Sequence, residues 1–165
     1  LTQLTGAQAN ERAVKQTGAL AKADLILFAS HSVYVEGQGP AFLLQKSEGE
    51  DGTLTADEIA LLSTNADLVI LSACTTAAAG PDEADALSGM ARGFLLSGSR
   101  GIVISHWPVE DKAAAELGSA MLGHMAANPG ATPAEALRQA ALALRAQGGR
   151  FAHPRYWAAF SLVEE

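Results

Sequence analysis

Cysteine is almost absent from this sequence: Cys74 is the only one among 165 residues. One thiol forms no internal disulfide and offers no cysteine cluster to a metal, which fits a reducing, cytoplasmic compartment. Basic residues are also scarce. The 11 Lys and Arg stand against 18 Asp and Glu, a net charge of −7, which argues against holding nucleic acid through its phosphates. No apolar run approaches the roughly 18 residues that a membrane helix needs, so a membrane partner is not expected. No signal peptide is visible, and residue 1 is Leu rather than Met. The chain is therefore read as starting inside a longer protein. Gly-x-Gly-x-x-Gly, a phosphate-binding loop and metal or haem patterns are missing too, so no cofactor is expected.

What is present is an alternation of short apolar runs and helical stretches. Hydrophobic residues make up 48% of the chain and charged residues 18%, as in a globular α/β domain. The alternation predicts one domain over residues 1–165 with a mainly parallel sheet covered on both faces. The first clear strand falls within Leu20–Ser30. Gly37–Pro40 reads as a loop, Ala41–Leu44 as a short strand or hairpin arm, and Ser47–Gly52 as a polar loop. Thr55 with Glu58 forms a capping box that opens a helix, and Thr132-Pro-Ala-Glu135 forms a second with Pro at the first helical position. A buried strand ends at Cys74. Leu87, Met90, Ala91, Phe94 and Leu95 fall on one helical face, and Gly98 closes that helix. Gly101–Ser105 is another strand. Leu117, Met121 and Met125 share a face of the next helix, which stops at Asn128-Pro-Gly130. Tyr156–Val163 reads as the last strand.

Two of the apolar runs end in reactive side chains. Asp67-Leu-Val-Ile-Leu-Ser-Ala-Cys74 ends in the thiol, and Asp24-Leu-Ile-Leu-Phe-Ala-Ser-His31 ends in an imidazole. Ligands of an open parallel sheet bind beyond the carboxyl ends of its strands. Neighbouring strands lie about 4.8 Å apart, so the two side chains are expected within hydrogen-bond or one-water reach. The thiolate is the reactive form of cysteine. A neutral histidine takes its proton and later returns it to a leaving amine, while N–H groups near Ser32 and Cys74 hold an oxyanion. The plainer reading stays open beside this one: a lone strand-end Cys is often a small buried hydrophobe, and a strand-end His often serves only as a hydrogen-bonding group. His106 is the rival base; His124 and His153 read as surface or structural.

Seven segments, in order, give the sequence a family resemblance. They are Phe28–His31, Gly52–Ile59, Ala66–Cys74, Met90–Leu95, Ile104–Val109, Pro133–Arg138 and His153–Phe160. Together they resemble the CHAT family of caspase-like proteins, within the caspase–separase–gingipain group of cysteine peptidases. The resemblance implies a caspase-like three-layer sandwich, a dyad of His31 and Cys74, and cleavage of a protein or peptide substrate. It further implies a domain at the C-terminal part of a larger protein, switched by a regulatory module such as tetratricopeptide repeats.

Three departures qualify what is carried over. The family usually has Gly after the catalytic His, where this chain has Ser32, so the oxyanion geometry is in question. Leu1–Gly6 looks like the family's second strand, which implies that a preceding core strand is absent or comes from another chain. Basic-specific relatives place an acid two residues before the Cys to hold the substrate's basic side chain, and here that position is Ser72. Asp82, Glu83 and Asp85 follow in the next loop, either lining a pocket or simply solvated; Trp107 is either a substrate wall or a packing residue. Val35–Gly52 and Thr75–Pro81 read as loops that gate the dyad. A catalytically silent binding domain, and a small-molecule hydrolase or acyltransferase on the same dyad, remain the competing classes.

Overall fold

The structure, a computed structural model, describes residues 2–72 and 83–164, and the side chains of all of these except 83–88. Its strands are β1 (Leu25–Phe28), β2 (His31–Val35), β3 (Gly39–Leu43), β4 (Thr53–Thr55), β5 (Leu68–Leu71), β6 (Gly101–Ser105) and β7 (Phe160–Glu164). Its helices are α1 (Glu11–Gln16), α2 (Ala56–Ala60), α3 (Glu83–Leu96), α4 (Asp111–Ala127) and α5 (Pro133–Ala146). The main sheet runs β1-β5-β6-β7. The first three are parallel and β7 returns antiparallel, pairing Ser105 with Phe160 and Gly101 with Glu164. Every residue of β5 and β6 is buried, which is why these runs are continuously apolar: both their faces are covered.

The two cores define three layers. On one face, Phe28, Phe42 and Phe94 cluster with Ile59, Met90 and Ala91, the Phe28 and Phe42 rings stacking with centroids 4.9 Å apart. On the other, Leu117 and Met121 of α4 and Ala136, Ala140 and Leu144 of α5 pack on Leu68, Ile70 and Val103. The layered, mainly parallel α/β fold is the one expected.

Local signals held where their chemistry is short-range. Thr55 and Glu58 form the full capping box of α2. Gly98, at φ 107, ends α3 with the Gly98 N–H donating to Leu95 O and the Ser99 N–H to Phe94 O, the paired bonds of a Schellman motif. Thr132 caps α5 by accepting the Glu135 N–H, but only half of the expected box forms. The Glu135 carboxylate turns instead to Arg138 at 2.8 Å; that ion pair is the main cause holding its pKa down at about 2.

Four expectations are corrected. β1 stops at Phe28, and His31 opens a different strand, because the chain turns there into a second, antiparallel sheet β2-β3-β4. The gating loop read over Val35–Gly52 is interrupted: the strand expected at Ala41–Leu44 forms and starts earlier, within the Gly37–Pro40 stretch read as a loop. Gly37, at φ 78, makes a tight turn closed by the Gln38 N–H on Val35 O, and Gly39–Leu43 then pairs with both neighbours as β3. Residues 2–5 form no strand; half-buried Leu4 packs on the core and the chain passes into a 3-10 turn at Gly6–Gln8. The last strand begins at Phe160 rather than Tyr156, since Pro154–Tyr156 forms a 3-10 turn capped by His153, whose Nδ1 accepts the Arg155 N–H.

Candidate active site

The carboxyl ends of β1 and β5 lie side by side. Phe28 pairs with Leu71 in register, and one residue on, the Ser72 N–H donates to Phe28 O at 2.8 Å. From Phe28 the chain turns a corner through Ala29 and Ser30. The Ser30 hydroxyl donates to the Leu43 carbonyl at 2.6 Å, and Leu43 is the residue directly across from His31. His31 is thus delivered to the sheet edge by a pinned corner, with its side chain exposed. Sequence reasoning missed Ser30: a hydroxyl before a histidine carries no signal until β3 is placed opposite.

Ser32 lies within β2, paired with Phe42 and half-buried. Its backbone is strand, a conformation open to any L-residue, so nothing at this position demands glycine. β2 is an edge strand of its sheet among the described residues, and about half of the N–H groups on an antiparallel edge face away from the partner.

The expected site residues divide three ways. Ser72 meets the end of β1 at Phe28, and His31 and Ser32 open β2 three and four residues after Phe28. Cys74 and Asp82 lie outside the described residues, and Asp85, like Glu83, is placed only as backbone at the start of α3. His106 and Trp107 follow β6, on the far side of β5 from β1. His106 is tied toward β7, with its Nε2 2.6 Å from Ser161 Oγ and its N–H on Ala159 O. Trp107 is 38% exposed, its indole N–H fixed on the Arg155 carbonyl at 2.9 Å, so a rigid ring face stands on this rim. His124 sits in the last turn of α4, and His153 is the cap already described.

A second cluster of chemistry-bearing groups was not foreseen. Lys15 Nζ lies 2.9 Å from Glu11, 2.8 Å from Glu50 and 2.9 Å from Glu58, and Glu11, only 1% exposed, also accepts the Gly52 N–H at 2.7 Å. Oxygens of the three carboxylates lie within 4.8 Å of one another, as in a cation site, but the Lys15 ammonium already holds the central place. Partial burial opposes charge on Lys15, yet its bonds to Glu50, Glu58 and Glu11 outweigh that and raise its pKa. For Glu58, burial also opposes the charge, and the bonds from Lys15 and Thr55 outweigh it and lower the pKa. The cluster ties α1 to α2 and to the segment between β3 and β4. Its members lie 35 and 43 residues apart in the chain, beyond any local pattern.

Comparison with known proteins adds one finding. The family model described as CHAT domain matches residues 2–165, whereas no curated protein matches the chain.

Proposed function

The chain belongs to the CHAT family, a caspase-like family related to cysteine peptidases, and on that premise we propose that it is a cysteine endopeptidase acting through His31 and Cys74. The observation that carries this is the register of β1 on β5. Phe28 and Leu71 are paired, His31 follows the one by three residues and Cys74 follows the other by three. Cys74 lies outside the described residues; what supports the reading is Ser72, two positions before it in the sequence, whose N–H meets the end of β1 at Phe28 O.

In this reading His31 takes the Cys74 proton and the thiolate attacks the scissile carbonyl. The Ser32 and Cys74 N–H groups hold the resulting oxyanion. The C–N bond then breaks, His31 gives its proton to the leaving amine, and a thioester remains. His31 next deprotonates a water, which hydrolyses the thioester and restores the thiol. Ser72 and Trp107 line the bound peptide, with Asp82 and Asp85 the acids available to a basic side chain. The test is cleavage of a peptide library by the full-length protein. Wild type should cut, and Cys74→Ala and His31→Ala should each remove at least about 10³ of the rate; cutting that persists in both rejects the dyad.

A catalytically silent binding domain is the second reading, favoured by Ser32 where the family usually has Gly. An electrophilic thiol probe separates the two: a peptidase labels at Cys74 near neutral pH in a His31-dependent manner, and a silent domain does not. The peptidase reading also includes control by an upstream or partner module such as tetratricopeptide repeats. In the same assay the isolated 165 residues should turn over more slowly than the full-length protein, and equal rates would reject that control.

A further inference from the structure

The antiparallel sheet that carries His31 also places one apolar side chain beside it. His31, Leu43 and Thr53 are directly paired across β2, β3 and β4, so their side chains share a face, with adjacent Cβ atoms about 4.5–5.5 Å apart. Leu43 is 47% exposed. The next pair on that face, Val33 and Ala41, is half-buried and fully buried. Phe42 points the other way and stacks on Phe28 in the core. Thr53 is half-buried, its hydroxyl held by Asp51 at 2.5 Å. Of the apolar groups across from His31, Leu43 is therefore the one open to a ligand. The Ser30 hydroxyl on its carbonyl fixes its position relative to the imidazole.

We propose that Leu43 selects the substrate residue immediately after the scissile bond and favours an apolar side chain there. This rests on the endopeptidase reading and makes it more specific. The group that protonates the leaving amine must reach that nitrogen, so the residue carrying the nitrogen lies against His31. The side chain standing next to His31 on the same open face is then the one that this residue meets. Contacts of one or two methylenes discriminate by about 10–200-fold in kcat/KM, and a half-exposed leucine belongs at the low end, about tenfold.

The test uses the full-length protein and a peptide library varied only at the first position after the scissile bond. Wild type and Leu43→Met should both prefer Leu, Met or Phe there. Leu43→Ala should flatten the preference by about tenfold, and Leu43→Glu should turn it toward Lys and Arg. A peptidyl fluoromethyl ketone, with no more than a fluorine on the leaving side, should label Cys74 equally fast in all four proteins. If Leu43→Ala and Leu43→Glu both keep the wild-type profile, the inference fails while the endopeptidase reading stands. If labelling falls tenfold in the Leu43 variants, Leu43 acts through His31 and selection is rejected. Absence of any Cys74-dependent cleavage rejects the endopeptidase reading and the inference with it.

Discussion

Ser32 stands where the family resemblance leads one to expect Gly, and its setting in β2 decides what a serine there means. A serine in β2 keeps its N–H and occupies backbone that needs no glycine. A donor aimed at an oxyanion is worth about 2.7–4 kcal/mol, or roughly 10²–10³ in rate. Ser32→Gly is therefore expected to leave cleavage within a few-fold of the parent or above it. Ser32→Pro, which deletes the N–H, is expected to remove at least about 10² of the rate while the circular dichroism spectrum stays native. A folded Ser32→Pro protein that cuts at the parent rate would count against the oxyanion role. Residues of this kind were legible only in part. His31 and Cys74 stand out because scarce residue types end apolar runs, whereas Ser30 and Leu43 acquire meaning only once β3 lies opposite β2.

Among the elements, α3 shows how a cap can also be a packing contact. Gly98 sits at φ 107, and a Cβ there would meet the Thr64 carbonyl oxygen at 2.4 Å. That carbonyl is held in place, since the Thr64 N–H donates to Ser97 O and its hydroxyl lies 2.8 Å from Ser99 Oγ. Gly98→Ala thus faces backbone strain and a clash with rigid backbone at once, and is expected to cost about 2 kcal/mol or more. A urea titration of the purified variant reads this directly; a midpoint equal to wild type would mean that the α2–β5 connection, which carries Thr64, yields. The glycine stop was legible because it is local, but the Thr64 contact, 34 residues away in the chain, was not.

At the scale of the whole molecule, the Lys15 cluster ties the N-terminal helix to the segment leading into β4, and so supports the sheet that carries His31. Its pH response follows from the direction of one shift. Glu58 has a lowered pKa in the folded protein. Its contribution is therefore fully present above the ordinary carboxylate value of 4.5 and is lost as pH falls through the folded value. Lys15 has a raised pKa, so its contribution is already complete below the ordinary lysine value of 10.5 and stays level in acid. The wild-type urea midpoint should fall as pH drops below about 4.5, and less steeply in Glu58→Gln. Lys15→Met, which leaves three carboxylates facing one another, is expected to cost about 2 kcal/mol at pH 7, between the values for exposed and buried pairs. That cost should shrink at pH 4 as the carboxylates take up protons. A pH-independent deficit would show that only packing of the Lys15 stem is lost.

The layered α/β class was readable from periodicity, because continuous apolar runs such as Leu68–Leu71 and Gly101–Ser105 suit strands covered on both faces. The caps at Thr55 and Gly98 were readable too, because their partners lie within a few residues; His31 and Cys74 stand as the pair proposed from the sequence. The tertiary fold alone puts His31 in an antiparallel sheet rather than at the end of β1, extends the strand expected at Ala41–Leu44 back to Gly39, and brings the distant Glu50 and Glu58 to Lys15. Strand pairing and ion clustering join residues by position in space, and nothing in local periodicity encodes which distant segment arrives there. The same reason places Leu43 beside His31: eleven residues of chain separate them, and the register of β2 on β3 brings them together.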